Sequence, residues 1–255
     1  TILRAVCNSL SCIGGRNVTS FIGCLFSSYE DTVFYFDESR YPGVQGCVAL
    51  TIDDGFCRNG TDCSLVAEVR ELLRQHAARA TFFLCSQYMR GLEADARQLL
   101  EDGHEFANHM TADSHKWASG PIEQFEADFL KCSGALEELH EACPEGQQRR
   151  VCWFRAPGGK LTASMREVMQ RHGLRHALGD CYCDDWAIED AAYVASTLLG
   201  QARSGSVIIM HMPERGYREH CLEALQQLLE GLAAKGLTCV TLSDLVARAE
   251  ADPQS

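Results

Sequence analysis

From residue 47 onward the chain alternates short apolar runs with longer segments of helical periodicity, and that alternation leaves few folds open. The runs at 47–52, 80–84, 104–108, 151–154, 174–178, 206–211 and 237–241 read as buried strands. Between them the spacing predicts a helix at 64–77, where Leu65, Val66, Val69, Leu72 and Leu73 share one face. Further helices are predicted at 92–100, from Pro121 onward, and at 162–172, 190–202 and 219–234, with Ser243 capping a last one. Strands that alternate with helices imply an α/β fold: a parallel sheet with helical crossovers. About seven such units form either an open doubly wound sheet or an incomplete barrel, and periodicity does not choose between them. Residues before 40 are rich in Cys and Ser and weakly patterned; a helix at 18–28 and a strand at 33–36 are expected there. Tyr41-Pro42-Gly43 and Gly46 mark the boundary between this N-terminal extension, 1–40, and the domain at 41–255.

Charge and composition narrow the partners. With 35 acidic against 23 basic side chains the net charge is −12, a field that repels phosphate backbones. Only short basic pairs such as Arg149–Arg150 oppose it, so nucleic acid is not expected as a partner. No apolar run reaches the roughly 18 residues of a membrane span. The 14 cysteines are an even number, which permits full pairing and proves none of it. Two of the four asparagines open glycosylation sequons, Asn17-Val-Thr19 and Asn59-Gly-Thr61. Together these features lead us to expect a secreted or cell-surface protein whose signal peptide has been removed, with an intracellular protein or a fragment as the alternative.

In a parallel α/β sheet, working side chains collect just past the carboxyl ends of the strands. Here those ends carry Asp53-Asp54-Gly55, Asn108-His109 with Asp113 and His115 beyond, Arg155-Ala156-Pro157-Gly158, Asp180 with Asp184-Asp185-Trp186, and His211. Adjacent carboxylates at a strand end need a cation or a shared proton to compensate them. A divalent metal held by Asp54, His109 and Asp113 would serve, with His115 as the alternative third ligand if the loop is irregular. Asp53 would then be free as a general base and His211 available as a general acid. Arg155 would hold Asp53 ionised, and Asp185 would fix the tautomer of His211 and raise its pKa.

Each residue also has an ordinary structural role to weigh. An isolated Asp-Asp-Gly is most often a solvated turn, and a lone histidine at a helix entry is most often structural. His76, His140, His172, His176 and His220 fall within or beside predicted helices. Trp117 and Trp153 read as packing, and Cys181-Tyr-Cys183 lacks the second close pair that a thiolate metal site requires. What favours chemistry is the order in which the polar groups occur at successive strand ends.

That order resembles the polysaccharide deacetylases of the NodB-homology type, carbohydrate esterase family four, from about Phe34 to Val246. Thr51-Ile52-Asp53-Asp54-Gly55 is similar to the family's Thr-Phe-Asp-Asp-Gly. Gly103-His104-Glu105-Phe106-Ala107-Asn108-His109 resembles the approach to its His-Ser/Thr-x-x-His. Phe154-Arg155-Ala156-Pro157-Gly158-Gly159 resembles Arg-x-Pro-x-Gly, Asp185-Trp186 the fourth motif, and Ile209-Met210-His211 the fifth, Leu-x-His. The sequence departs from the pattern in three places. Asp113 stands where the distal His falls, the turn after Arg155 lacks the usual aromatic residue, and Phe56-Cys57 replaces the Pro after Asp-Asp-Gly.

The resemblance implies an incomplete (β/α) barrel of about seven parallel strands with outer helices. It implies a metal-dependent hydrolase that removes N-acetyl groups from a glycan containing N-acetylglucosamine: chitin, chitooligosaccharide or peptidoglycan. Asp53 would be the base, His211 the acid, Arg155 and Asp185 their supports, and zinc the expected metal, with manganese or cobalt as alternatives. Ile209 would line the acetate pocket, Pro157 and Gly158 would lie along the substrate's path, and Trp186 would stack on a sugar face. Two other classes stay open: hydrolysis of another small amide, cyclic imide or O-acetyl ester, and a glycan-binding homologue without catalysis.

Overall fold

The computed structural model describes residues 29, 31–143 and 150–251. Seven strands form one parallel sheet: β1 Cys47–Gly55, β2 Thr81–Leu84, β3 Glu105–Asn108, β4 Trp153–Phe154, β5 Arg175–His176, β6 Val207–His211 and β7 Thr238–Val240. They neighbour one another in the order β5-β4-β3-β2-β1-β6, and β7 pairs with the first residues of β1. The crossover helices are α1 Val66–Gln75, α2 Glu93–Glu101, α3 Ile122–Glu141, α4 Ala163–Arg171, α5 Ala191–Gln201 and α6 His220–Ala234, and α7 Leu242–Ala251 follows β7. The curled sheet is an incomplete parallel barrel with helices around it.

The pleat of β1 sorts its side chains into two cores. Val48, Leu50 and Ile52 pack outward with Leu73, Phe106 and Leu228 of the sheet–helix layer. Cys47 and Ala49 point inward, with Phe83, Ala107, Trp153 and Val207. Leu242, Leu245, Val246 and Ala249 of α7 join this inner cluster and plug the barrel at the amino ends of its strands. Thr241 caps α7, accepting from Asp244 N at 3.2 Å, rather than the expected Ser243. Ser243 lies inside the first turn, where its hydroxyl accepts from Trp153 Nε1 (2.9 Å) and donates to the buried Glu105.

Two expectations change at the barrel's open side. The segment 33–36 is not a strand: Val33 bridges Ala177, and Tyr35 bridges Ser206 in the antiparallel sense. Strands β4 and β5 keep only two residues each because the backbone turns to these other partners. Val33 N donates to His176 O (3.0 Å) and Leu178 N to Val33 O (2.8 Å). With Cys181 bridging Ile208, irregular chain thus spans the gap between the edges β5 and β6. The helix expected at 18–28 lies outside the described residues. The eleven described cysteines are free thiols, nine of them buried as small apolar fillers. Among the described residues no helix is long and apolar enough to cross a membrane.

Candidate active site

The carboxyl ends of the strands open on the side away from α7, and the polar groups of the strand ends meet there. On β1, Thr51 and Asp53 continue the inward face of Cys47 and Ala49. Strict alternation would send Asp54 outward into the helices. Instead the register shifts between Asp53 and Gly55, and Asp54 takes a left-handed backbone, φ +61°. A left-handed conformation is costly for a non-glycine residue and persists only where the surroundings impose it. Met110 (φ +68°) and Arg218 (φ +56°) share it, one beside His109 and the other bonded to Asp54.

Asp53 is 4% exposed and faces the guanidinium of Arg155, whose Nη1 donates to its Oδ1 at 2.5 Å. Arg155 comes from the end of β4, is itself buried, and places all three of its side-chain nitrogens on acceptors. Nη1 also reaches Thr51 Oγ1 (2.9 Å), Nε reaches Ala177 O (3.0 Å) and Nη2 reaches Leu178 O (3.2 Å). The guanidinium carbon lies 3.9 Å from the centre of the Phe83 ring. A planar fork bonded through all three of its nitrogens is held in one orientation. Asp53 Oδ2 takes no hydrogen bond from the described residues.

On the adjacent strand, His211 of β6 pairs in register with Asp53 of β1. Asp185, fully buried, accepts from His211 N through Oδ2 (2.8 Å) and lies 2.7 Å from His211 Nδ1 through Oδ1. That second contact makes Nδ1 the protonated nitrogen and aims Nε2 away from Asp185. Burial alone would lower the His211 pKa, but the charge and hydrogen bond of Asp185, aided by Asp54 and Asp53, push it up to about 9.

Asp54 and His109 form the third group, 2% and 3% exposed. His109 Nδ1 lies 2.8 Å from Arg155 O. A carbonyl only accepts, so Nδ1 carries the proton and Nε2 presents its lone pair to the site. Nε2 lies 3.4 Å from Asp54 Oδ1, an oxygen that is buried without a hydrogen-bond partner. Two facing acceptors need a proton or a cation between them. Each of Asp54, His109 and Asp113 offers a ligand atom within 4.8 Å of the others. This oxygen–nitrogen–oxygen set fits a divalent metal. Burial opposes charging of His109, yet Asp54, Asp53 and Asp113 together raise its pKa, so a metal there would displace a proton. Asp54 is the converse case. Burial works to raise its pKa, but His109, His211 and Arg218 hold it well below the carboxylate range.

The other strand-end residues lie around this centre. His115 is not in the ligand set. It lies on the Pro157–Gly159 turn, where a Cβ on Gly158 would come within 2.1 Å of its ring, so the glycine is needed for that approach. Pro157 is buried and Gly158 exposed. Ile209 shares the inward face of His211 one step deeper, buried against Gly179. Trp186, next to Asp185, is 52% exposed, with its indole N–H directed to Tyr182 OH at 3.4 Å.

Two arginines that strand-end reasoning passed over complete the charge balance. Arg218, 8% exposed, donates to Asp54 Oδ2 at 2.8 Å, and Arg58 donates to the same oxygen at 3.1 Å. Arg58 also lies 3.6 Å from Asp113 Oδ2. Both sit on loops just past β1 and β6. The signal that marks them is their place, four residues after Asp54 and seven after His211, not a motif.

Residues 40–177 match the family model described as polysaccharide deacetylase. A chitooligosaccharide deacetylase of Azorhizobium caulinodans is 30% identical, over 75% of this chain and 90% of that protein. A peptidoglycan-N-acetylglucosamine deacetylase of Bacillus cereus is 27% identical, over 80% of this chain and 90% of that one. In fold, the structure is similar to a CE4-family pseudoenzyme from Bacillus anthracis, with a TM-score of 0.69 and 16% identity over 84% of this chain and 68% of the other. With the motif order, the barrel and the family match in agreement, this chain belongs to the polysaccharide deacetylase family.

Proposed function

We propose that this chain hydrolyses N-acetyl groups on a glycan containing N-acetylglucosamine, of the chitooligosaccharide or peptidoglycan class, with a divalent metal, zinc first among the candidates. The observation that carries this is the pairing of Asp53, held by Arg155, with His211, held by Asp185, at register-matched positions on adjacent strands at one mouth. An amide needs a base on one side to deprotonate water and an acid on the other to protonate the departing nitrogen. Bound at Asp54, His109 and Asp113, a divalent metal would supply Lewis-acid polarisation of the acetyl carbonyl and of the water.

Asp53 takes the proton of the attacking water through its free Oδ2, while Arg155 keeps the carboxylate oriented. His211, an imidazolium up to about pH 9, gives its Nε2 proton to the amine nitrogen as the C–N bond breaks. Acetate and the free amino sugar leave. The exposed Trp186 beside Asp185 offers an indole face for a sugar ring, and both named relatives act on N-acetylglucosamine-type glycans or their oligomers.

The test is acetate release from chitooligosaccharide and from peptidoglycan by protein reconstituted with zinc, manganese or cobalt, against a chelated control. Chelator-sensitive release supports the proposal. Release from acetylated xylan alone moves the reaction to O-acetyl esters, and no release from any substrate by metal-loaded protein points to a non-catalytic glycan binder.

The His211 pair gives a pH signature. Because its folded pKa lies above the ordinary 6.5, the ion pair contributes stability that is fully present below pH 6.5 and is lost as pH rises through about 9. In Asp185→Asn the basic limb of the kcat–pH profile should move down from near 9 toward 6.5, and the extra stability of this window should disappear. Rate profiles and denaturant titrations at pH 6 and 9.5 check both. An unmoved basic limb would remove His211 as the acid.

A further inference from the structure

Asp54 and Asp113 place two carboxylates around the ligand set, and the protein already answers them with two cations of its own. These two arginines are built differently. Arg218 is buried, bonds Asp54 Oδ2 at 2.8 Å and places Nη2 on Tyr217 OH at 2.8 Å. Arg58 is 27% exposed, makes a single side-chain hydrogen bond, to Asp54 Oδ2, and only approaches Asp113, at 3.6 Å. Its Nε is buried with no partner, as is the Nε of Arg218, so the contrast lies in the exposure and the number of bonds at the head of each guanidinium. Charge and ring faces hold Arg58: its guanidinium carbon lies 5.2 Å from the centre of the Tyr88 ring and 5.2 Å from that of Tyr217.

The backbone beneath Arg58, by contrast, is fixed. Glu214, 1% exposed and on the loop after β6, accepts through Oε2 from Arg58 N (3.1 Å), Asn59 N (3.2 Å), Asn59 Nδ2 (3.1 Å) and Cys57 Sγ (3.2 Å). Tyr88 O accepts from Cys57 N (3.0 Å), and Tyr88 OH accepts from Asp113 N (3.3 Å), so one residue ties the Arg58 loop to the Asp113 loop. The chain therefore delivers a guanidinium to one spot with a rigid base and a loosely bonded, partly solvated head.

We propose that Arg58 is a tethered cation that competes electrostatically with the divalent metal, holding the charge of Asp54 through Oδ2, not the Oδ1 that faces His109, and that of Asp113. In the metal-free protein it bridges the two carboxylates; when metal binds, its head withdraws toward solvent along the Tyr88 and Tyr217 rings while Arg218 stays. The consequence is a site that is assembled without metal and binds metal more weakly than its ligand set alone would. This rests on the metal reading above, and the following experiment separates the two.

Metal-free wild-type protein, Arg58→Gln and Arg58→Lys are titrated with Co²⁺ and Zn²⁺ at one pH, the first by its d–d absorption and the second by competition with a chromophoric chelator. Loss of a supporting outer-shell partner would cost about 10- to 100-fold in metal affinity; loss of a competing charge that contacts two ligands is expected instead to tighten binding in Arg58→Gln by a comparable factor. Arg58→Lys keeps the charge and should stay close to wild type. The thermal midpoint of metal-free Arg58→Gln should fall below wild type, since Asp54 and Asp113 lose their bridge, and the deficit should close once metal is added. Binding by wild type and Arg58→Gln with equal affinity, or weaker binding by Arg58→Gln, would overturn the tethered-cation role and leave the metal reading standing. Absence of binding in all three proteins would overturn both.

Discussion

Asp53→Asn is expected to lower the rate constant for acetate release by about 10²- to 10⁴-fold, the usual contribution of a positioned general base. Asparagine keeps the size of the side chain and leaves an oxygen for Arg155 Nη1, so the supporting bonds to Thr51, Ala177 and Leu178 stay in place. What it removes is the acceptor at the second oxygen, which no described residue occupies. Because Asp53 is not in the set formed by Asp54, His109 and Asp113, metal content should be unchanged. Asp54→Asn is the contrasting variant. It weakens the ligand set and should lose metal and activity together. Initial rates of acetate release measured with metal content on the same samples check both, and an Asp53→Asn variant above a tenth of the wild-type rate would remove Asp53 as the base.

The positions of these side chains were legible in the sequence to the extent that strand ends were. Regular alternation of apolar runs and helical spacing located β1, β2, β3 and β6 to within a few residues, and whatever follows such a strand must lie at the mouth. Asp53, Asp54, His109, Arg155 and His211 are found there for that reason. The inward turn of Asp54 was not legible, because it depends on a register shift and a left-handed backbone that alternation does not encode. Strands β4 and β5 were also located, at 151–154 and 174–178, but their shortening to two residues each was not legible, since the gap they border is filled by 33–36 and by Cys181, whose pairing is set by closure of the barrel rather than by local pattern. Arg58, Arg218 and Glu214 sit on loops whose path is fixed by contacts up to 164 residues apart, as between Arg218 and Asp54. A spacing rule sees a strand's end but not where a loop doubles back. The placement of Asp113 and His115 depends on the same point: Asp113 lies within ligand distance of Asp54 and His109, whereas the His115 ring packs on the Gly158 turn.

Arg155→Met is expected to have the largest effect on stability, about 3–5 kcal/mol. The guanidinium is 2% exposed and serves an aspartate that is 4% exposed, and it also supplies donors to Ala177 O and Leu178 O. Methionine fills much of the stem's volume against Phe83, so lost packing is a small part of the change. The large part is a carboxylate left in the barrel with its charge unanswered. Removing one partner of a buried pair is far more damaging than never having had the pair, since the survivor keeps its desolvation without its compensation. For a chain of this size each kcal/mol moves the thermal midpoint by about 2–4 °C, so a fall of roughly 6–20 °C is expected. Adding Asp53→Leu to Arg155→Met should restore part of this loss, because both charges are then gone and only the two carbonyls and Thr51 Oγ1 remain short of donors. Denaturant unfolding of the four proteins of this cycle reads the coupling directly. A double variant no more stable than Arg155→Met alone would mean that Arg155 stabilises the barrel mainly through Ala177 and Leu178, and that Asp53 tolerates burial on its own.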